Sequence, residues 1–109
     1  MAAAPQAGFG DALSPDNHGP LAGVKVLDLT TVIMGPYATQ ILGDYGADVI
    51  KVESPEGDVM RFPGPGRSAQ MGHVFLNVNR NKRSIVLDLK TEAGRQACID
   101  LARQADVLV

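Results

Sequence analysis

The 109-residue sequence has one cysteine, no tryptophan and only 5% aromatic residues. The single cysteine, Cys98, excludes a disulfide framework within the chain and is typical of proteins in a reducing compartment. No apolar run approaches the roughly 20 residues that a membrane-spanning helix needs. The N-terminus lacks the basic start and apolar core of a signal peptide. We therefore expect a cytoplasmic protein with no membrane partner.

The sequence also lacks an excess of charge of either sign, since 10 basic and 12 acidic residues give a net charge of −2. This balance excludes a generally basic nucleic-acid-coating protein, and the few aromatic residues offer no platform on which bases would stack. His18 and His73 lie far from Cys98 in the sequence, with no metal-ligand spacing. Neither a Gly-x-Gly-x-x-Gly fingerprint nor a Walker loop is present. We expect no nucleic-acid partner and no metal.

The two ends of the chain differ in composition. Residues 1–20 contain three prolines and three glycines but no lysine or arginine, which predicts a disordered tail. At the other end, residues 105–109 form an apolar run that resembles a buried strand, and such a strand needs neighbours on both sides. We therefore interpret residues 21–109 as the truncated N-terminal portion of a larger domain, which is expected to fold poorly by itself.

A strand–helix–strand pattern opens this portion. Residues 24–29 predict a buried strand, and Pro36 suits the first turn of a helix. Gly46 predicts the end of that helix, and residues 47–53 predict the second strand. The helix carries one apolar stripe, which consists of Tyr37, Ala38, Ile41, Leu42 and Tyr45.

The same order returns near the end of the chain. Residues 84–89 predict a strand, Thr91 an N-cap, and residues 105–109 a further strand. The helix between them has a stripe of Ala93, Ala97, Cys98, Leu101, Ala102 and Ala105. Because parallel strands need crossover helices, the predicted fold class is α/β, an incomplete doubly wound (Rossmann-like) parallel sheet. Residues 75–78, in the long Gly/Pro-rich connection, are left open between a short edge strand and a turn.

Charge is segregated along the sequence. Residues 24–60 carry a local charge of −4, and residues 61–90 a local charge of +5. One interpretation is that the basic segment binds an anion, with Lys90 at the carboxyl end of the third strand as the preferred contact. The alternative is a solvated loop with scattered charges.

Three acidic residues stand within or at the end of predicted strands. Asp28 and Asp88 occupy matching positions inside two of them, which favours a structural role such as bonding to a neighbouring loop N–H over catalysis. Glu53 ends the second strand, where dinucleotide-binding folds place a ribose-binding acid. Without the glycines this signal is weak, and a strand-end charge is the simpler interpretation.

Several segments resemble the family III coenzyme A (CoA) transferases, which include formyl-CoA and carnitine-type CoA transferases and the α-methylacyl-CoA racemases. The matching segments are residues 21–29, Gly35-Pro36, residues 41–53 and Asn79-Arg80-Asn81-Lys82-Arg83 with the strand after it. The resemblance implies an enzyme about four times this length that forms an interlocked homodimer. Acyl-CoA and a carboxylic acid would be its substrates, CoA would be carried as substrate, and no cofactor would be bound covalently.

The resemblance also implies a mechanism and part of a binding site. An aspartate attacks the thioester and forms an aspartyl-CoA intermediate, but that aspartate lies beyond Val109, so no catalytic residue is assigned here. Six residues match the family's cofactor-binding positions. Thr31, Ile33 and Met34 match the positions after the first strand that hold CoA through the backbone, and Ser54 stands where relatives often have an arginine. Leu87 matches a position that lines the adenine pocket, and Lys90 matches one that pairs with a phosphate. For Ile33, Met34 and Leu87, plain core packing is the competing interpretation.

Two other functions stay open at this point. An acyl-CoA racemase of the same family is one, although the long connection between the second and third strands favours a transferase. A non-catalytic nucleotide-binding α/β module is the other.

Overall fold

The computed structural model describes Phe9 and residues 18–109. Its strands are β1 (Lys25–Asp28), β2 (Asp48–Glu53), β3 (Lys82–Val86) and β4 (Val107–Leu108). Its helices are α1 (Met34–Asp44), α2 (His73–Val78) and α3 (Glu92–Gln104), and a 3₁₀ turn spans Val59–Arg61. No helix within this described part is long and apolar enough to cross a membrane.

The four strands form one parallel sheet in the order β3-β2-β1-β4. The chain moves outward from β1 through α1 to β2 and through α2 to β3. Helix α3 then returns it to the opposite side of β1, where Val26 pairs with Val107. This reversal of direction is the mark of a doubly wound sheet. The predicted α/β fold class is confirmed.

Apolar side chains cover both faces of the sheet. On one face Val26 and Val49 are fully buried and pack with Leu42 of α1. On the other face Leu27 and Ile50 pack with Leu101 of α3, and burying a leucine of this kind stabilises the fold by roughly 1.5–3 kcal/mol. Strands buried on both faces must be nearly continuous in apolar residues, which explains the strand patterns of the sequence.

Helix α1 is rotated relative to the prediction. Most of the predicted apolar stripe is exposed, with Tyr37 at 55% and Tyr45 at 54%. The helix buries the small or polar residues Pro36, Thr39, Gln40 and Gly43 instead. The Thr39 hydroxyl lies 2.6 Å from a carboxylate oxygen of Asp28, so a hydrogen bond to a buried strand residue determines which face turns inward.

The ends of α1 and α3 follow the sequence signals. Pro36 lies in the first turn of α1, and Gly46, at φ 104°, follows its C-cap in a left-handed conformation that favours glycine. Thr91 caps α3, since its hydroxyl oxygen accepts a hydrogen bond of 3.0 Å from the Gly94 N–H. These three local predictions are confirmed.

The third strand was predicted in the wrong place. It spans Lys82–Val86 instead of residues 84–89, because β2 ends at Glu53 and its last partner in the register is Val86. Asp88 therefore lies in the turn after the strand, not inside it. Residues 75–78 were left open between a strand and a turn, and they belong to helix α2.

Phe9 is the part of the predicted tail that the structure places against the sheet. Its side chain is 2% exposed and packs with Leu27 and Leu101. Its carbonyl oxygen accepts a hydrogen bond of 2.9 Å from the Arg83 guanidinium. Residues 1–8 and 10–17 lie outside the described residues.

Candidate functional site

A pocket of about 290 Å³ opens at the carboxyl ends of β1, β2 and β3. This is the edge of a parallel α/β sheet at which ligands usually bind. Three loops supply its walls: the loop after β1, the loop after β2, and the turn that leads from β3 into α3. The lining residues are Leu29, Thr31, Val52, Glu53, Ser54, Pro55, Glu56, Gly57, Asp58, Leu87, Asp88, Leu89 and Lys90.

The turn before α3 fixes the backbone of Lys90. The Asp88 carboxylate accepts a hydrogen bond of 3.0 Å from the Lys90 N–H, and the Arg95 guanidinium donates one of 3.0 Å to the Lys90 carbonyl. Gly94 packs so closely that a Cβ there would lie 2.0 Å from the Asp88 carbonyl oxygen. The Lys90 side chain is exposed at the rim of the pocket. Among the residues described, no carboxylate lies within 4.0 Å of its ammonium group.

The exposed Glu56 lines the same pocket, and its carboxyl interacts with the charge of Lys90. The pKa of its carboxyl is lowered by hydrogen bonds from its own backbone N–H and from the Ser54 hydroxyl, with a smaller contribution from the charge of Lys90. An anion that reaches Lys90 has to compete with the Glu56 carboxylate.

The predicted binding residues divide into two groups. Thr31, Ser54, Leu87 and Lys90 all line the pocket. Ile33 and Met34 do not line it; they lie where α1 begins, and their side chains are 44% and 86% exposed. Core packing is therefore the wrong interpretation for Ile33 and Met34.

The basic segment does not act as a general anion trap, because most of its cations already pair with the acidic frame. Arg61 binds Glu53 at 2.7 Å, and Arg83 binds Asp48 at 2.7 Å. Two further pairs, Lys82–Asp28 at 3.0 Å and Arg80–Asp44 at 2.8 Å, complete the set. The negative charges of residues 24–60 and the positive charges of residues 61–90 thus pair with each other within the fold. Lys90 is the cation of this segment that lines the pocket.

Glu53 is held by several donors and is 3% exposed. Burial would raise the pKa of its carboxyl, but hydrogen bonds from Arg61, Ser84 and the Asp58 N–H outweigh that effect and lower it to about 2. Arg61 also stacks 3.9 Å from the centre of the Phe75 ring. Since Glu53 is fully engaged by the protein, a role in binding ribose is not supported.

The structure supports the predicted bonding of Asp28 and Asp88 to a neighbouring loop N–H, although Asp88 lies in the turn after β3 and not in a strand. Asp28 accepts a hydrogen bond of 2.8 Å from the Thr30 N–H, as Asp88 does from the N–H of Lys90. Burial would raise the pKa of Asp28, but hydrogen bonds from Thr30 and Thr39 lower it. Both carboxylates therefore shape the loop that follows their strand.

Sequence reasoning missed Lys51 and Asp58. Their side chains are 1% and 0% exposed, and the ammonium nitrogen lies 2.9 Å from the Asp58 Oδ2. A lysine within the otherwise apolar Val-Ile-Lys-Val run is the signal that was available, because a buried lysine needs a partner. The identity of that partner could not be predicted, because Asp58 lies in an irregular loop.

The described residues contain no group of three or more His, Cys, Asp or Glu side chains suited to a metal ion. Cys98 is partly buried against the α3 face of the sheet, and burial raises the pKa of its thiol. The pocket combines apolar walls and hydroxyl groups with one lysine and four carboxylates, which belong to Glu53, Glu56, Asp58 and Asp88.

Comparison with known proteins identifies the family to which this chain is similar. Residues 21–109 match the model of CoA-transferase family III. Succinyl-CoA:mesaconate CoA-transferase from Haloarcula hispanica is 48% identical over 95 residues, which are 84% of this chain and 24% of that protein. Human succinyl-CoA:glutarate CoA-transferase is also 48% identical over 95 residues, with 86% of this chain and 22% of that protein covered.

Solved structures agree. A CAIB/BAIF family protein from Brucella suis superposes with a TM-score of 0.78 at 45% identity, over 84% of this chain and 25% of that one. The chain thus spans about a quarter of the length of the relatives it matches. The match to the family model covers all four strands and three helices described above. This chain belongs to CoA-transferase family III.

Proposed function

We propose that this chain is the CoA-binding N-terminal portion of an enzyme that transfers CoA between carboxylic acids. The observation that carries the proposal is the pocket at the carboxyl ends of β1–β3, with Lys90 at its rim. Family membership supplies the reaction class, and the pocket supplies a place for the carrier.

The pocket suits one end of CoA, not the whole molecule. Its volume of about 290 Å³ is at the lower end of the range for small-molecule sites. Leu29 and Leu87 offer apolar walls for the adenine ring, and Thr31 offers polar atoms nearby. The rest of the carrier would extend past the exposed start of α1, where Ile33 and Met34 lie.

Lys90 and the start of α3 would attract a phosphate at the rim, and the carboxylates of Glu56 and Asp88 oppose this attraction. Lys90 contributes a positive charge, and it lies immediately before α3, whose N-terminal end also favours anions. The acidic residues Glu53 and Asp58 line the same pocket, but their charges are balanced by Arg61 and Lys51. The repulsion that they would otherwise exert on a phosphate is therefore reduced.

The chemistry would use an aspartate that lies outside this chain. Its carboxylate attacks the thioester carbonyl and expels the CoA thiolate, which forms a mixed anhydride. The thiolate then attacks the aspartyl carbonyl, which releases the donor acid and leaves an aspartyl-CoA thioester. The acceptor carboxylate attacks that thioester in turn, and a second exchange yields the new acyl-CoA and the free aspartate. The residues of this chain would hold the carrier while these steps proceed.

The remaining parts of the proposal concern the whole protein. Its substrates would be an acyl-CoA and a small carboxylic acid, as the names of the relatives suggest, and it would act in the cytoplasm. An interlocked homodimer is supported by the exposed apolar side chains of Tyr37 and Ile41 on α1 and of Tyr45 at its C-cap, which a partner chain would cover. The CoA-binding region would be Rossmann-like, since its strand order β3-β2-β1-β4 is that of the first four strands of the dinucleotide-binding sheet.

Direct titration tests the proposal. We expect the full-length protein to bind CoA in calorimetric titrations, and to exchange CoA between succinyl-CoA and an acceptor acid. Binding of ATP or NAD without binding of CoA would contradict it and favour a non-catalytic nucleotide-binding module. Epimerisation of a 2-methylacyl-CoA without CoA exchange would favour a racemase.

A further inference from the structure

The loop between β1 and α1 contains a residue in an unfavourable backbone conformation. Val32 has a φ of 74°, and a β-branched side chain is strongly disfavoured there. Such a conformation costs on the order of 1–3 kcal/mol and persists only where the surroundings impose it. Val32 lies between Thr31 and Ile33, two of the positions proposed to meet CoA.

A buried ion pair holds this loop on both sides of Thr31, at Thr30 and at Val32. The Lys51 ammonium group donates a hydrogen bond of 2.7 Å to the Thr30 carbonyl oxygen. The Asp58 Oδ1 accepts one of 3.3 Å from the Val32 N–H, and the Asp58 Oδ2 lies 2.9 Å from the same ammonium group. Lys51 therefore bonds to Thr30, the residue before Thr31, and Asp58 bonds to Val32, the residue after it.

The same pair joins two walls of the pocket. Asp58 lines the pocket from the loop after β2, where its N–H donates to Glu53 and its Oδ1 also accepts from the Met60 N–H at 3.0 Å. Thr31 lines it from the loop after β1. The pair therefore links the loop after β1 to the loop after β2.

We propose that Lys51 and Asp58 are positioning residues, which hold Val32 in its left-handed conformation and so present the backbone of Thr31 and Ile33 to CoA. The inference rests on the proposed function. Stability alone does not explain the pair, because buried ion pairs are often no more stabilising than apolar side chains of the same size. Its side-chain hydrogen bonds go to the backbone of Thr30, Val32 and Met60, which lie outside the sheet and in the loops that form two walls of the pocket.

The experiment replaces the pair by apolar residues of similar size in the full-length protein. The Lys51→Met/Asp58→Leu double variant leaves no unpaired buried charge, so the fold is expected to persist. We expect the affinity for CoA to fall about tenfold and amide hydrogen exchange at Val32 to become at least tenfold faster. The Thr30 amide serves as an internal control, since it donates to Asp28 and should keep its protection.

Two further variants separate positioning from general damage. Adding Val32→Gly to the double variant should restore several-fold of the lost affinity, because glycine adopts a positive φ without steric cost. The matched control is Arg80→Met/Asp44→Leu, which removes an exposed ion pair where β3 begins and should leave CoA affinity unchanged. Should the double variant not fold, Lys51→Met/Asp58→Asn carries the test, since it leaves no buried charge unpaired, keeps an oxygen for the Val32 N–H and removes the contact with the Thr30 carbonyl.

The outcomes decide between the hypotheses. Unchanged exchange at Val32 overturns the inference, as does faster exchange with wild-type affinity for CoA. A lack of CoA binding by the unsubstituted protein overturns the proposed function instead, and the exchange measurement then still decides whether the pair holds the loop. Faster exchange together with weaker binding that Val32→Gly partly restores supports the inference.

Discussion

The ammonium group of Lys82 lies 3.0 Å from a carboxylate oxygen of Asp28, although 54 residues separate the two in the sequence. Lys82 begins β3 and Asp28 ends β1, so the contact spans the strand between them. The lysine also donates to the Pro36 carbonyl at 2.9 Å and to the Asn79 side chain at 2.8 Å. Burial lowers the pKa of Lys82, and the hydrogen bond to Asp28 opposes that effect. A cation that would otherwise suggest anion binding is therefore used to hold the sheet to α1.

Replacement of Lys90 tests the phosphate contact. Lys90→Ala in the full-length protein should weaken CoA binding about tenfold, because a charge-assisted hydrogen bond to phosphate is lost. The thermal midpoint should stay within about 2 °C of the wild type, since the side chain is exposed. Calorimetric titration measures the first effect and thermal unfolding the second.

The control for this variant is Arg103→Ala, which removes an exposed cation at the far end of α3. Its affinity for CoA should equal that of the wild type. An unchanged dissociation constant for Lys90→Ala would remove Lys90 from the site. Parallel titrations with dephospho-CoA, which lacks the 3′-phosphate, show which phosphate the lysine meets.

We expect the carboxylate of Glu56 to lower the affinity of the wild-type protein for CoA. Its carboxylate is exposed and interacts with the charge of Lys90, so it competes with an incoming phosphate. Glu56→Gln should therefore strengthen CoA binding about two- to threefold at low salt, and the gain should shrink as salt screens the charges. Asp100→Asn, which removes an exposed acid on α3, should have no such effect, and equal gains in the two variants would indicate a general charge effect.

Glu53 makes stability depend on pH in the acidic range. Its pKa is about 2 in the folded protein against 4.5 as the ordinary value, so the unfolded chain binds the proton more tightly. The contribution, about 3 kcal/mol, is complete above pH 4.5 and is lost as the pH falls towards 2. Urea unfolding between pH 2.5 and 6 should show a shallower pH dependence for Glu53→Gln than for the wild type. Parallel curves would contradict the assignment.

Gly94 should tolerate no side chain. A Cβ at this position would meet the Asp88 carbonyl oxygen at 2.0 Å, so Gly94→Ala must displace the turn that carries Lys90. We expect a loss of about 2 kcal/mol or more in the free energy of unfolding, together with weaker CoA binding. At the neighbouring exposed position, Ala93→Gly should cost only about 1 kcal/mol and leave CoA affinity unchanged. Equal effects of the two substitutions would show that the turn adjusts freely.

Residues 1–109 expressed alone should fold poorly. Val107 and Leu108 are 40% and 63% exposed in β4, and α1 exposes Met34 and Tyr37 to solvent. Apolar surface of this kind favours self-association over a stable monomer. Thermal unfolding and sedimentation should show a broad transition and oligomers, and a sharp cooperative transition from a soluble monomer would contradict this expectation.

Local chemistry in the sequence predicted β1, β2, the helices α1 and α3 and the fold class, but not α2 or the position of β3. Apolar runs predicted β1 and β2 nearly to their observed ends, and Thr91 and Gly46 correctly marked a helix start and a helix end. These signals act within a few residues, so they can be read without knowledge of the rest of the fold. Lys90 was singled out because the predicted strand ended at residue 89; β3 ends at Val86, and Lys90 lies at the pocket because the turn before α3 carries it there.

The tertiary structure decided which charges are free and which helix face is buried. The partners of Lys82 and Lys51 depend on the strand order and on an irregular loop, and neither is encoded in any local pattern. The orientation of α1 was likewise decided by Asp28, which attracts Thr39 inward against the apolar stripe. Pairing between residues far apart in the chain is a property of the whole packing, because a buried charge takes the partner that the fold places beside it.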